Sequence, residues 1–138
     1  MIKKIVVFGA GYVGSSLSIL LAEHFQVILV DTDQVKVKKI AQKEAPIEEP
    51  LLQEFLSTRN LNLSATSSFK EHLANTDLVI LALPTNYNEN TNFFDTSILE
   101  QVLSDLSASN TTATVVIKST IPIGFTDKVS KLPILLAL

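Results

Sequence analysis

Apolar and polar positions alternate in blocks along this chain, and the block lengths switch between two periods. Ile5-Val6-Val7-Phe8 is a continuous apolar run, as expected of a central parallel strand covered on both faces. After a glycine-rich break, Val13, Leu17, Leu20, Leu21 and His24 recur at helical spacing and predict one buried stripe. Gln26–Val30 reads as a second strand closed by Asp31. A helix over Asp33–Lys43 follows, with Asp33 as N-cap and Val37 and Ile40 inward. Pro46 and Pro50 bracket Ile47-Glu48-Glu49, and Pro50 suits the first turn of a helix burying Leu51, Leu52, Phe55 and Leu56. Leu61–Ala65 alternates as a short strand, and Ser68-Phe69-Lys70-Glu71 has capping-box spacing for a short helix. Leu78–Leu83 predicts a fourth strand, ended by Pro84, before a polar loop from Thr85 to Asn92. A helix over Thr96–Ala108, a strand over Ala113–Ile117, a helix over Phe125–Lys131 and an apolar sixth strand over Ile134–Leu138 complete the pattern.

Strands alternating with helices predict an α/β fold, a Rossmann-type doubly wound parallel sheet of about six strands with helices on both faces. The 138 residues suit one domain, without internal repeat or low-complexity tract. Ligands of such sheets bind beyond the carboxyl ends of the strands, where strand order reverses. The loops that matter are then Gly9–Gly14, Asp31, Pro84–Asp95 and Ser119–Gly124.

Composition narrows the partners. Fourteen acids against eleven bases give a net charge of −3, and the bases form no dense cluster beyond Lys36, Lys38 and Lys39, so no nucleic-acid surface is expected. There is no cysteine, hence neither disulfide nor thiolate chemistry. No apolar run approaches the roughly 20 residues of a membrane span, and the run after Lys3-Lys4 is too short for a secretory leader. A cytoplasmic protein with no membrane partner is the expectation. His24 and His72 lack the spacing of a metal site or a triad and read as structural, so no metal is expected.

Gly9-Ala10-Gly11-Tyr12-Val13-Gly14 between a strand and a helix has the spacing of a dinucleotide fingerprint. Gly9 permits the tight turn, Gly11 lets backbone approach a pyrophosphate, and Gly14 lets helix and strand pack closely. The helix N-terminus offers N–H groups and positive dipole to the phosphates. Asp31, roughly 20 residues on, can accept hydrogen bonds from the adenosine ribose and would repel a 2′-phosphate, which favours NAD over NADP; the alternative is a helix cap shared with Asp33. Lys36 can reach the cofactor or stay in solvent. Thr85 and Thr120 each follow a strand at the carboxyl edge, where a hydroxyl can bond a cofactor, order a water, or satisfy local backbone. Lys118 is either a snorkelling lysine or a cation facing an anionic ligand. Glu48 and Glu49 are either substrate-facing acids or complements to a helix dipole. Tyr87, Phe93 and Phe94 read as loop anchors.

The glycine turn, Pro46-Ile47-Glu48-Glu49, Pro84-Thr85-Asn86-Tyr87-Asn88, Phe94-Asp95-Thr96 and Ile117-Lys118-Ser119-Thr120-Ile121-Pro122-Ile123-Gly124 occur in the order found in the UDP-glucose/GDP-mannose dehydrogenases, which this chain resembles up to about Lys131. The Pro84–Asn88 form is most like the bacterial UDP-glucose 6-dehydrogenases. The resemblance implies NAD binding through Gly9, Gly11, Tyr12, Val13, Gly14 and Asp31, with Lys36 assisting and Thr85 touching the cofactor. It implies that Thr120 lies by the nicotinamide and helps hold a catalytic water. Such enzymes of nucleotide-sugar and polysaccharide metabolism oxidise the sugar C6 alcohol to a carboxylate in two hydride transfers. A cysteine captures the aldehyde and the thioester is hydrolysed, which makes physical sense because the captured carbon keeps a hydrogen to donate. They are homodimers acting on a UDP-sugar. The family's cysteine, its catalytic lysine, asparagine and glutamate, and its central and C-terminal substrate domains have no counterpart in residues 1–138, so this chain is expected to bind NAD without turning over UDP-glucose. Two other functions fit the glycine turn alone: a non-catalytic NAD-binding sensor, and the cofactor domain of another NAD-dependent dehydrogenase. Neither calls for all the later loops.

Overall fold

A computed structural model describes residues 1–137. Six parallel strands form one sheet: β1 (Lys4–Phe8), β2 (Gln26–Val30), β3 (Leu63–Thr66), β4 (Leu78–Leu81), β7 (Thr114–Ile117) and β8 (Leu135–Leu136). They lie in the order β3-β2-β1-β4-β7-β8. The chain winds outwards from β1 in one direction and then, from β4, in the other, as the alternating pattern predicts. Register is fixed by pairs such as Val6↔Ile28 and Val6↔Val79, with β1 at the centre.

Period-two alternation divides β1 between two cores. Ile5 and Val7 pack with Ile19, Ile40, Leu52 and Leu56 on the side of α1 (Tyr12–Leu21), α2 (Gln34–Ala41) and α3 (Pro50–Thr58). Val6 and Phe8 pack with Leu99, Leu103, Leu106 and Phe125 on the side of α4 (Ser97–Ala108) and α5 (Phe125–Val129). A strand apolar on both faces therefore has a helical layer to cover each.

Several local expectations are corrected. The buried face of α1 is Gly14, Ser15, Ser18 and Ile19, whereas Val13 and Leu20 are about half exposed and His24 lies beyond the helix in solvent. At Gly14 the helix sits so close to the Gly9 backbone that no side chain fits, while Ile19 further along fills the core. In α3, Leu52 and Leu56 are buried but Leu51 faces out. Asp33 caps α2 as expected, accepting from the N–H of Val35 and Lys36. The Ser68 and Glu71 side chains do bond to each other, yet they introduce only a single 3-10 turn, Lys70–His72. Strand β4 stops at Leu81 rather than Leu83, because the Leu83 N–H turns away to the Ser119 hydroxyl. The polar loop after it folds into a small antiparallel hairpin, β5 (Tyr87–Asn88) with β6 (Phe93–Phe94), where Tyr87 and Phe94 meet edge to face at 5.2 Å. Of the predicted final strand, Leu135–Leu136 pairs with β7, and Leu138 lies outside the described residues.

Candidate functional site

The glycine turn joins β1 to α1, and each glycine meets a different constraint. Gly9 has φ of 103°, and a Cβ there would run into the Ala82 carbonyl, only 2.9 Å from its carbon. Both conditions exclude other residues. Gly14 lies under the Gly9 carbonyl, whose carbon would be 2.9 Å from an added Cβ. Gly11 is different, since a Cβ there would have open space within 4 Å. Its lack of a side chain serves nothing inside the protein and leaves bare backbone facing the cleft.

Gly11 is also the N-cap of α1 and supplies no side-chain cap. Among the described residues, the N–H groups of Gly11, Tyr12, Val13 and Gly14 have no protein acceptor. First-turn donors of a helix need partners from outside it. Here they form a cradle with the positive helix end behind it, the geometry that suits an anionic phosphate.

Asp31, at the end of β2, braces this turn. One carboxylate oxygen accepts from the Ala10 N–H at 2.8 Å, and the other accepts from the Asp33 N–H, also at 2.8 Å. The Gly9 N–H completes the tie by donating to the Val30 carbonyl at 2.8 Å. A carboxylate oxygen has acceptor capacity beyond one N–H, so Asp31 can brace the turn and still receive hydroxyls.

A cleft of about 510 Å3 opens beside these groups, lined by Gly9, Gly11, Tyr12, Val13, Asp31 and Lys36. Gly14 sits behind the lining. Residues without a motif complete the walls: Phe69, which packs edge to face on Phe8 at 4.9 Å, together with Leu83, Pro84, Ile98 and Val102. Such a cleft, apolar walls with a few convergent polar groups, is typical of small-molecule sites. The half-exposed Ile98 is explained by its position here rather than by the core.

Thr85 and Thr120 do not line this cleft. The structure brings them together one step along the carboxyl edge, where the Thr85 hydroxyl donates to the Thr120 carbonyl at 2.6 Å. Ser119, not singled out by sequence, makes the more internal contact. Its hydroxyl accepts from the Leu83 N–H at 2.9 Å and lies 3.3 Å from the Leu81 carbonyl, to which it donates. That staple connects the β4 and β7 loops. Its only signal in the sequence was a hydroxyl two positions past the end of a strand. Lys118 is exposed and away from the cleft. Glu49 caps α3 and accepts from the Tyr12 phenol at 3.0 Å, while Glu48 is exposed.

Comparison with known proteins agrees with this geometry. Residues 3–135 match the NAD-binding domain of the UDP-glucose/GDP-mannose dehydrogenase family. The chain belongs to that family. UDP-glucose 6-dehydrogenase of Campylobacter jejuni is 40% identical over 130 residues, covering 93% of this chain and 33% of that enzyme. The UDP-glucose 6-dehydrogenase of Streptococcus pneumoniae is 40% identical over 126 residues, 91% of this chain and 32% of its own length. Among solved structures, a GDP-mannose dehydrogenase from Pseudomonas aeruginosa superposes with a TM-score of 0.80 at 30% identity, over 91% of this chain and 30% of that one. The chain thus spans about a third of the length of the curated relatives it matches. Within the family it corresponds to the NAD-binding domain, with the Rossmann sheet and NAD as cofactor. The free N–H cradle and the braced Asp31 are chemically suited to that cofactor. No helix among the described residues is long and apolar enough to cross a membrane.

Proposed function

We propose that residues 1–138 act as one cofactor-binding domain of a UDP-glucose 6-dehydrogenase, the enzyme that converts UDP-glucose to UDP-glucuronate. In this reading Asp31 receives the adenosine ribose hydroxyls, and the backbone from Gly9 to Gly14, with Tyr12 and Val13, holds the pyrophosphate. Lys36 adds a positive charge at the ribose end. Thr85 and Thr120 stand towards the nicotinamide, with Thr120 as the residue next to the reacting carbon and its water. NAD supplies the hydride acceptor when bound. The chain's own task is to fix that cofactor's position and to keep one face open to the sugar. The observation that carries the proposal is the convergence of free helix N–H groups and a braced carboxylate on one cleft.

UDP-glucose is favoured as the substrate of the whole enzyme because two relatives at 40% identity carry that activity in their names. GDP-mannose is the second reading, supported by the solved neighbour at TM-score 0.80. The sequence has no cysteine, so the thiol that family members use against the aldehyde is supplied from outside these residues. Calorimetric titration of the 138-residue chain with NAD, NADP and UDP-glucose tests the proposal. The expected result is NAD binding, weaker NADP binding because Asp31 repels the 2′-phosphate, and no heat with UDP-glucose. Formation of UDP-glucuronate by the purified chain, or a preference for NADP, would overturn it.

A further inference from the structure

Tyr12 and Glu49 are 37 positions apart and belong to different helices, yet the Tyr12 phenol donates to Glu49 Oε2 at 3.0 Å. Tyr12 opens α1 beside the free N–H groups and lines the cleft, with 63% of its surface exposed. A first-turn tyrosine that exposed has little packing to choose its rotamer. Glu49 provides the missing restraint, and Glu49 is itself held in place. Its other carboxylate oxygen accepts from the Leu51 N–H at 3.4 Å, capping α3. The segment leading to it is fixed by Pro46 and Pro50, and by Gln53, whose side chain accepts from the Ala45 N–H at 2.9 Å and donates to the Lys43 carbonyl at 3.1 Å.

We propose that Glu49 is a positioning residue for the cofactor, fixing the Tyr12 ring as a wall of the phosphate cradle. The inference rests on the cofactor placement proposed above. Glu49 does not line the cleft, so its effect on binding passes through the phenol. The Pro46–Pro50 segment thereby has a function in the cofactor site beyond starting α3. Fixing the ring before the ligand arrives removes an ordering cost from binding. The phenol titrates above its ordinary value, because it donates to the Glu49 carboxylate and faces its negative charge, which gives the contact a spectroscopic signature.

The test is a double-mutant cycle on NAD affinity, with Glu49→Ala, Glu49→Gln, Tyr12→Phe and the Tyr12→Phe/Glu49→Ala pair measured by calorimetry. Losing a hydrogen bond that orders a binding wall should weaken NAD binding about three- to tenfold in Glu49→Ala. Glu49→Gln, whose amide oxygen can still accept from the phenol, should recover most of it. In the Tyr12→Phe background, Glu49→Ala should add no further loss. Thermal melts of the same proteins separate the capping role, which lowers Tm in either background. In ligand-free protein carrying Tyr87→Phe, so that Tyr12 is the sole tyrosine, absorbance at alkaline pH should show the phenol titrating lower once Glu49 is removed. The inference is overturned if Glu49→Ala lowers Tm without changing the NAD affinity. It is also overturned if Glu49→Ala weakens NAD equally with and without the Tyr12 hydroxyl. Failure of the unmodified chain to bind NAD would instead overturn the cofactor placement, so the two failures are distinguishable.

Discussion

Substituting alanine at Gly14 and at Gly11 should have opposite consequences, although both glycines begin the same helix. On propensity alone Gly14→Ala should stabilise α1 by about 1 kcal/mol. The added Cβ would, however, lie 2.9 Å from the Gly9 carbonyl carbon and closer still to its oxygen, with the Ala82 Cβ at 3.5 Å. Clearing the carbon alone needs a retreat of about 1 Å, and clearing the nearer oxygen needs more. The obstacle is backbone, so no rotamer change relieves it. Overpacking of this kind costs about 1–3 kcal/mol, and the upper end applies where backbone must move. Allowing for the propensity gain, the net loss is at least about 2 kcal/mol, or a fall in Tm of at least about 6–10 °C for a chain of this size. Gly11→Ala meets nothing within 4 Å and has φ of −81°, which alanine adopts freely. As alanine is a poorer N-cap than glycine, the stability of this variant should fall by no more than about 1 kcal/mol. In the proposed placement its methyl stands where the pyrophosphate approaches, and displacing one charge-assisted hydrogen bond should lower NAD affinity about tenfold or more. Urea unfolding and calorimetric titration of both variants read the two effects separately. A Gly14→Ala protein as stable as the parent, or a Gly11→Ala protein with the parent's NAD affinity, would refute the assignment of these glycines.

Other expectations follow from named contacts. Asp31→Asn puts a donor where the Ala10 and Asp33 N–H groups both need acceptors; it should cost about 1–2 kcal/mol in urea unfolding and weaken NAD binding about tenfold, and parental values for both would count against the bracing role. Ser119→Ala leaves the Leu83 N–H without its acceptor and should lose about 1 kcal/mol, measured by thermal melts, with amide exchange at Leu83 accelerated. The Asp77 carboxylate is held below its usual value by the N–H groups of Lys4 and Lys3, and Glu100 is held low first by Lys128 and then by Thr96. Depressed values mean that their stabilisation is present above the unfolded-state values near about 4 and is lost as pH falls through the lower folded-state values. Acid titrations followed by circular dichroism should therefore show a shallower acid limb for Asp77→Asn than for the parent.

The sequence was most informative where one residue type meets one local constraint. Apolar runs such as Ile5–Phe8 mark strands covered on both faces, and the glycine spacing marks the turn after the first. The buried face of α1 was not legible, because hydrophobic periodicity selects Val13 and Leu20 whereas close packing selects Gly14, Ser15 and Ser18. Where the helix start lies tightly on backbone, size decides which residue faces in, and the apolar-inside rule resumes at Ile19. The hairpin of Tyr87–Asn88 and Phe93–Phe94 escaped because two-residue strands carry no period. Ser119 and the Tyr12–Glu49 contact depend on how β4 meets β7 and α1 meets α3, which no local window contains.

The position of β1 explains why the informative stretches divide into two groups. It lies between β2 and β4, and its neighbours on either side lead to helices on opposite faces. A crevice must open above it, since the connections leave that point in opposite directions. The ends of β1, β2 and β4 therefore converge on one cleft, and a glycine turn with an acid is enough to mark it. Thr85 follows β4 and Thr120 follows β7, and the two are bonded to each other instead of lining the cleft. Many dehydrogenases need the first group. In the proposed placement the second group faces the nicotinamide end, where residues can distinguish one oxidation from another while the glycine turn stays the same. The Ser119 staple belongs with that second group: it fixes where β4 ends, and so connects the wall of the cleft at Leu83 and Pro84 to the Thr120 loop.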